Sequence, residues 1–130
     1  MDADVEWQDG AVDLAKGCDE AVALRTIADL GLTVTSTPQT ITQTLPAVLA
    51  TDANWGLKAS ACQQGGYDIT ALAGSTVCLL SEDITQLCQG YPAEVWLVMS
   101  GDTTACVYKT VRPGAPIVPG VYSATDSQCH

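Results

Sequence analysis

The chain has 130 residues, enough for one domain with its own core, and 47% of them are apolar although only 5% are aromatic and Phe is missing altogether. Fifteen acidic residues stand against five basic ones, a net charge of −10. That balance lacks the Lys and Arg clusters with which a protein neutralises nucleic-acid phosphates or grips an anionic bilayer, so neither is expected as a partner.

Residues 1–10, MDADVEWQDG, form an acidic lead-in around Trp7. They do not read as a signal peptide, and no apolar run in the chain approaches the ~20 residues of a membrane span. The targeting or anchoring segment of an exported protein of this kind is therefore expected upstream. Residues 11–31 are the best helix candidate. In AVDLAKGCDEAVALRTIADL, Ala11, Leu14, Ala15, Cys18, Ala21, Val22 and Ala28 fall near one face, and Leu24, Ile27 and Leu30 widen it. Gly17 weakens the middle, so two shorter helices are the alternative. Gly31 is placed to end the helix at its C′ position.

Residues 32–56 change character. LTVTSTPQTITQTLP is rich in Thr and favours extended backbone and turns. LPAVLATDANWG adds a candidate short helix with Pro46 at its first position. The whole stretch reads as a connecting region packed over a sheet. The sheet itself is expected within 57–129. LKASAC and YDITALAG read as strands around a QQGG turn, STVCLL as a continuation, and SEDITQLC as a helical turn or loop. Ala93, Val95, Leu97 and Met99 alternate with Glu94, Trp96 and Val98. After the turn SGDT, Ala105, Val107, Lys109 and Val111 take one face, with Cys106 and Tyr108 on the other. Pro113, Pro116 and Pro119 then forbid a regular central strand, and VYSA offers a short edge strand. The fold class is thus α+β: one extracellular domain over 1–130, an N-terminal helix packed on a small antiparallel β-sheet.

Cys18, Cys62, Cys78, Cys88, Cys106 and Cys129 show no CxxC spacing. An even, spread set in a Thr-, Ala- and Gly-rich chain reads as three disulfides formed in an oxidising compartment. Of the fifteen possible connectivities, the expected one is Cys106–Cys129, Cys78–Cys88 and Cys18–Cys62.

Catalytic patterns fail one by one. The only histidine is His130, at the C-terminus, so a nucleophilic Ser or Cys lacks its usual base. No GxSxG, HExxH, Walker loop or GxGxxG occurs. Glu82 and Asp83 are adjacent and read as solvent-facing. No enzyme activity, cofactor or metal is expected. Trp55, Trp96 and Tyr91 are the candidate interaction surface, set against the simpler reading of hairpin packing.

The order of parts resembles the soluble head of a type IV pilin or pseudopilin. AVDLAKGCDEAVALRTIADLGL would be the soluble end of the leading helix, and TVCLL, AEVWLVM and ACVYKTV the sheet strands. VYKTVRPGAPIVPGVYSATDSQ would be the C-terminal loop, closed by Cys106 and Cys129, and NWGLKASACQQGGYDIT looks like the lead into the sheet of the type IVb branch. The resemblance implies a non-enzymatic subunit of an extracellular filament, or a surface adhesion module, with protein partners and an extracellular, cell-surface or periplasmic location. It further implies one helix over 11–30 with an exposed apolar flank. A freestanding secreted binding protein (inhibitor, effector or carbohydrate-binding module) would instead have a self-contained core and a concave or aromatic-lined surface around Trp55, Tyr67 or Trp96. A small extracellular enzyme would need a cleft with perturbed acids.

Overall fold

A computed structural model describes residues 17–117 and 120–130. Among them β1 (Gln39–Thr44), β2 (Thr76–Cys88), β3 (Tyr91–Ser100), β4 (Thr103–Val111) and β5 (Val121–Ser123) form one antiparallel sheet whose spatial order is the chain order. Helix α1 (Glu20–Asp29) precedes β1, and helix α2 (Trp55–Gln64) lies in the long excursion between β1 and β2. The α+β, disulfide-stabilised class therefore holds.

Tight turns set the hairpins. Gln89 and Gly90 both have positive φ, 51° and 86°, the geometry of a two-residue turn whose twist matches the flanking strands. Gly101, at φ 64°, takes the first corner of the β3–β4 turn, a conformation that glycine adopts without penalty. Leu97 then faces Leu80 and Val107, while Trp96 faces Ser81 and Tyr108.

Strand alternation divides the interior in two. Leu80, Ile84, Ala93, Val95, Leu97 and Val107 point to one side, where Ala23 and Ile27 of α1 cover them. Val77, Leu79, Val98, Cys106 and Tyr108 point to the other, under Trp55, Ala61 and Cys62 of α2. The sheet is thus covered by a helix on each face.

Several elements differ from their sequence reading. Gly17–Asp19 are not helical. Asp19 is instead the N-cap, its carboxylate accepting from the Val22 N–H at 3.2 Å. Cys18 is bridged to Gly101 in the β3–β4 turn, which holds the backbone extended just before the helix. The acidic lead-in and residues 11–16 lie outside the described residues. Gly31, at φ 75°, does end α1. LKASAC belongs to α2, not to a strand. The Leu, Lys, Ala and Gln residues of α2 are good helix formers, and Asp52 Oδ2 accepts from the N–H groups of Asn54 (3.0 Å) and Trp55 (2.8 Å) at the helix start. YDITALAG is a loop with one 3₁₀ turn at Thr70–Leu72. The expected helix after Pro46 is replaced by bends and turns.

SEDITQLC is the second half of β2, not a helical turn. Ile84 pairs with Ala93 on one side and bridges Val34 on the other, so tertiary pairing overrides the local capping signal at Ser81. The connecting region supplies this outer edge, first through Val34 and then through β1. The C-terminus completes it. His130 exchanges backbone bonds with Leu87 at 2.9 and 3.0 Å, so the last residue is held and not loose.

The three disulfides are Cys18–Cys78, Cys62–Cys106 and Cys88–Cys129. None of the expected pairs forms. Cys106 lies on the α2 face while Cys129 sits in the α1-side core. Cys18 and Cys62 are separated by the sheet in the same way. Cys78 and Cys88 are held near opposite ends of the thirteen-residue β2, on the order of 30 Å apart at ~3.3 Å per residue.

Candidate functional site

Trp55, Trp96 and Tyr91 do not form one surface. Trp55 is 2% exposed at the start of α2 and meets the Tyr108 ring edge-on, with centroids 6.4 Å apart. Trp96, half-buried, stacks on the opposite strand's Tyr108, 6.3 Å between centroids and 4° between planes. Its indole Nε1–H donates to Thr110 Oγ1 at 3.1 Å and Glu94 Oε1 at 3.3 Å. Lys58 Nζ lies 4.8 Å from the Trp55 ring centroid, a cation–π contact that covers the aromatic ladder. Burial lowers the Lys58 pKa, opposed by Asp52. Burial, with Glu94 adding, pushes the Tyr108 hydroxyl far above its ordinary value. Two of the three predicted residues therefore meet through Tyr108 and serve packing. Tyr91, exposed, stands apart beside the Arg112–Pro116 loop.

The α1 face holds a polar row that sequence reading missed. Register aligns Glu82, Val95, Lys109 and Tyr122 across four strands. Glu82 is 3% exposed and Lys109 2%. Lys109 Nζ donates to Gln86 Oε1 at 2.8 Å, and the Tyr122 hydroxyl bonds Gln89 Oε1. Burial lowers the Lys109 pKa, with Asp126 opposing. A lysine alternating with the apolar Val107 and Val111 was a visible signal of this. Glu82, expected to face solvent because SEDITQLC reads as a helical turn or loop, is instead buried within β2.

Among the described residues Glu82 Oε2 has no hydrogen-bond partner. Burial raises its pKa above the ordinary 4.5, and the nearby Glu20 adds to the shift. The folded protein then binds this proton more tightly than the unfolded chain, so the Glu82 contribution to stability falls as pH rises through and above 4.5. Glu82→Gln is expected to raise the Tm at neutral pH and to leave little difference below pH 4.5. Thermal unfolding across a pH series checks this; a variant less stable than its parent at neutral pH would contradict it.

On the solvent side of α1, Ala21, Leu24 and Ala28 are exposed, Leu24 by 41%. Their i, i+3, i+7 spacing makes one apolar flank beside the buried Ala23 and Ile27. A separate cleft of about 350 Å³ opens by α2, lined by Leu49, Ser60, Gln63, Tyr67, Asp68 and Thr70. Trp55 and Trp96 do not line it. Asp68 is committed to its own turn, accepting from the Thr70 N–H at 2.9 Å and the Thr70 hydroxyl at 2.6 Å. Among the described residues no group of three or more His, Cys, Asp or Glu could hold a metal ion, and no helix is long and apolar enough to cross a membrane. No protein-family model, curated protein or solved structure matches the chain.

Proposed function

We propose that this domain is the exported, non-enzymatic head of a subunit of an extracellular filament of the type IV pilus kind, or a surface adhesion module of the same build. The observation that carries the reading is the α1 flank of Ala21, Leu24 and Ala28, apolar and left exposed by the described residues on a helix whose other side is packed on the sheet. A helix–helix contact between subunits would bury such a stripe. The three disulfides fit an oxidising location at the cell surface or outside the cell. Cys88–Cys129 fastens the C-terminal tail to the end of β2, in place of the Cys106–Cys129 closure that the resemblance implies.

The test is made on the full gene product in the producing cell. Leu24→Glu with Ala28→Glu is expected to remove the protein from the sheared filament fraction. The isolated domain should keep its stability within about 0.5 kcal/mol per surface substitution. Recovery of the parent only as a free monomer in the medium would contradict the filament reading. It would favour a secreted binding protein, for which the cleft beside Tyr67, with the polar groups of Ser60 and Gln63, is the recognition surface.

A further inference from the structure

We propose that β1 is a self-complementary edge that pairs antiparallel with β1 of a second copy of this chain. The inference stands apart from the filament reading, because it uses a different surface and needs only the isolated domain. Among the described residues β1 is an outer strand, bonded to β2 on one side only. All of its residues except Gln43 are exposed, and Ile41 is 51% exposed. Sheet edges are ordinarily blunted by Lys, by an internal Pro or by a cover. β1, with the sequence QTITQT, has no charge and no proline.

The sequence identifies the occupant. Gln39-Thr40-Ile41-Thr42-Gln43 reads the same in both directions. An antiparallel pair related by a two-fold axis at Ile41 therefore sets Ile41 against Ile41, Thr40 against Thr42 and Gln39 against Gln43. The backbone is in phase with this axis. The Leu45 N–H bonds the Ser75 carbonyl at 2.8 Å, so by alternation Gln43, Ile41 and Gln39 turn their backbone groups to β2. Thr40, Thr42 and Thr44 turn theirs outward. Across the axis, Thr40 exchanges both bonds with Thr42 of the second copy, and the reverse. The Thr44 N–H reaches the Pro38 carbonyl, which needs no donor from that proline. About six backbone hydrogen bonds result, and the two five-stranded sheets become continuous. Ile41 occupies the non-hydrogen-bonded site, where facing side chains come closest, and covers its own exposed surface.

The contact is small, and two copies of net charge −10 repel, so the association is weak and strengthens as salt screens the repulsion. Sedimentation equilibrium in high salt up to about 1 mM protein should show the mass rising from 13.5 kDa toward twice that value. Ile41→Lys sets two ammonium groups face to face, and Thr42→Pro removes only an outward donor. Both should stay at 13.5 kDa with three disulfides intact. Should Thr42→Pro lose its fold, Ile41→Lys decides alone, since it alters no backbone bond. A peptide of residues 37–45 should dissociate the dimer, and a scrambled peptide of the same composition should not. A parent that remains monomeric, association that survives Ile41→Lys, or equal competition by the scrambled peptide would each overturn the proposal.

Discussion

Replacing Cys62 and Cys106 together by alanine is expected to lower stability by about 4 kcal/mol, from the loop-closure entropy of a 44-residue separation. For a domain of this size that corresponds to a Tm lower by about 15 °C. Both sulfurs are fully buried in the centre of the α2-side core, so lost packing adds to the entropic effect. The bond also fixes α2 against β4. Without it, the long excursion between β1 and β2 is held over the sheet by side-chain contacts alone. Typical domains have only about 5–15 kcal/mol in hand, so this one change removes a large share. Urea unfolding of the oxidised parent and the double variant measures it; a loss below about 1 kcal/mol would show that α2 is held by other contacts.

Tyr108→Ala is expected to destabilise by about 3–5 kcal/mol, the range for truncating a large buried aromatic side chain. Tyr108 is 1% exposed and sits between Trp96, stacked flat against it, and Trp55, edge-on. Removing its ring empties the junction where β3, β4 and α2 meet and strips both indoles of their main partner. Tyr108→Phe keeps both ring contacts and should cost less than about 1.5 kcal/mol. Tryptophan emission reports the same event, because Trp55 should shift toward the red in the alanine variant and not in the phenylalanine one. An alanine variant as stable as the phenylalanine variant would contradict the aromatic junction.

The central hairpin was legible from pattern alone. Alternation over Ala93–Met99 and Cys106–Val111 assigned the two faces correctly, down to Cys106 and Tyr108 lying opposite Val107 and Lys109, whereas Ala105, read with Val107, packs on the α2 side with Cys106 because the register shifts between Val98 and Met99. The short β5 also followed from VYSA between its turn signals. What escaped depends on partners far away in the chain. The strand character of SEDITQLC rests on pairing with β3 and with Val34, and Ser81 imitates a helix start. α2 carries helix-forming residues, yet its few buried positions, Trp55, Ala61 and Cys62, leave no clear amphipathic period. The disulfide pairing was out of reach for a related reason. The face of Cys106 could be read, but the face on which the C-terminal tail lands could not. That tail runs back to Leu87 and delivers Cys129 to the α1 side. Of the interaction-surface residues, Trp55 and Trp96 turned inward to Tyr108. The exposed stripe of Ala21, Leu24 and Ala28 was visible as apolar helix periodicity, without a sign of which part stays uncovered.

The account rests on a sheet with two separately covered faces, each cysteine confined to its own side. Proteolytic mapping of the unreduced protein tests this most directly. Fragments joined as Cys18–Cys78, Cys62–Cys106 and Cys88–Cys129 are the predicted result. A fragment linking Cys106 to Cys129 or Cys78 to Cys88, or the recovery of free thiols, would contradict it.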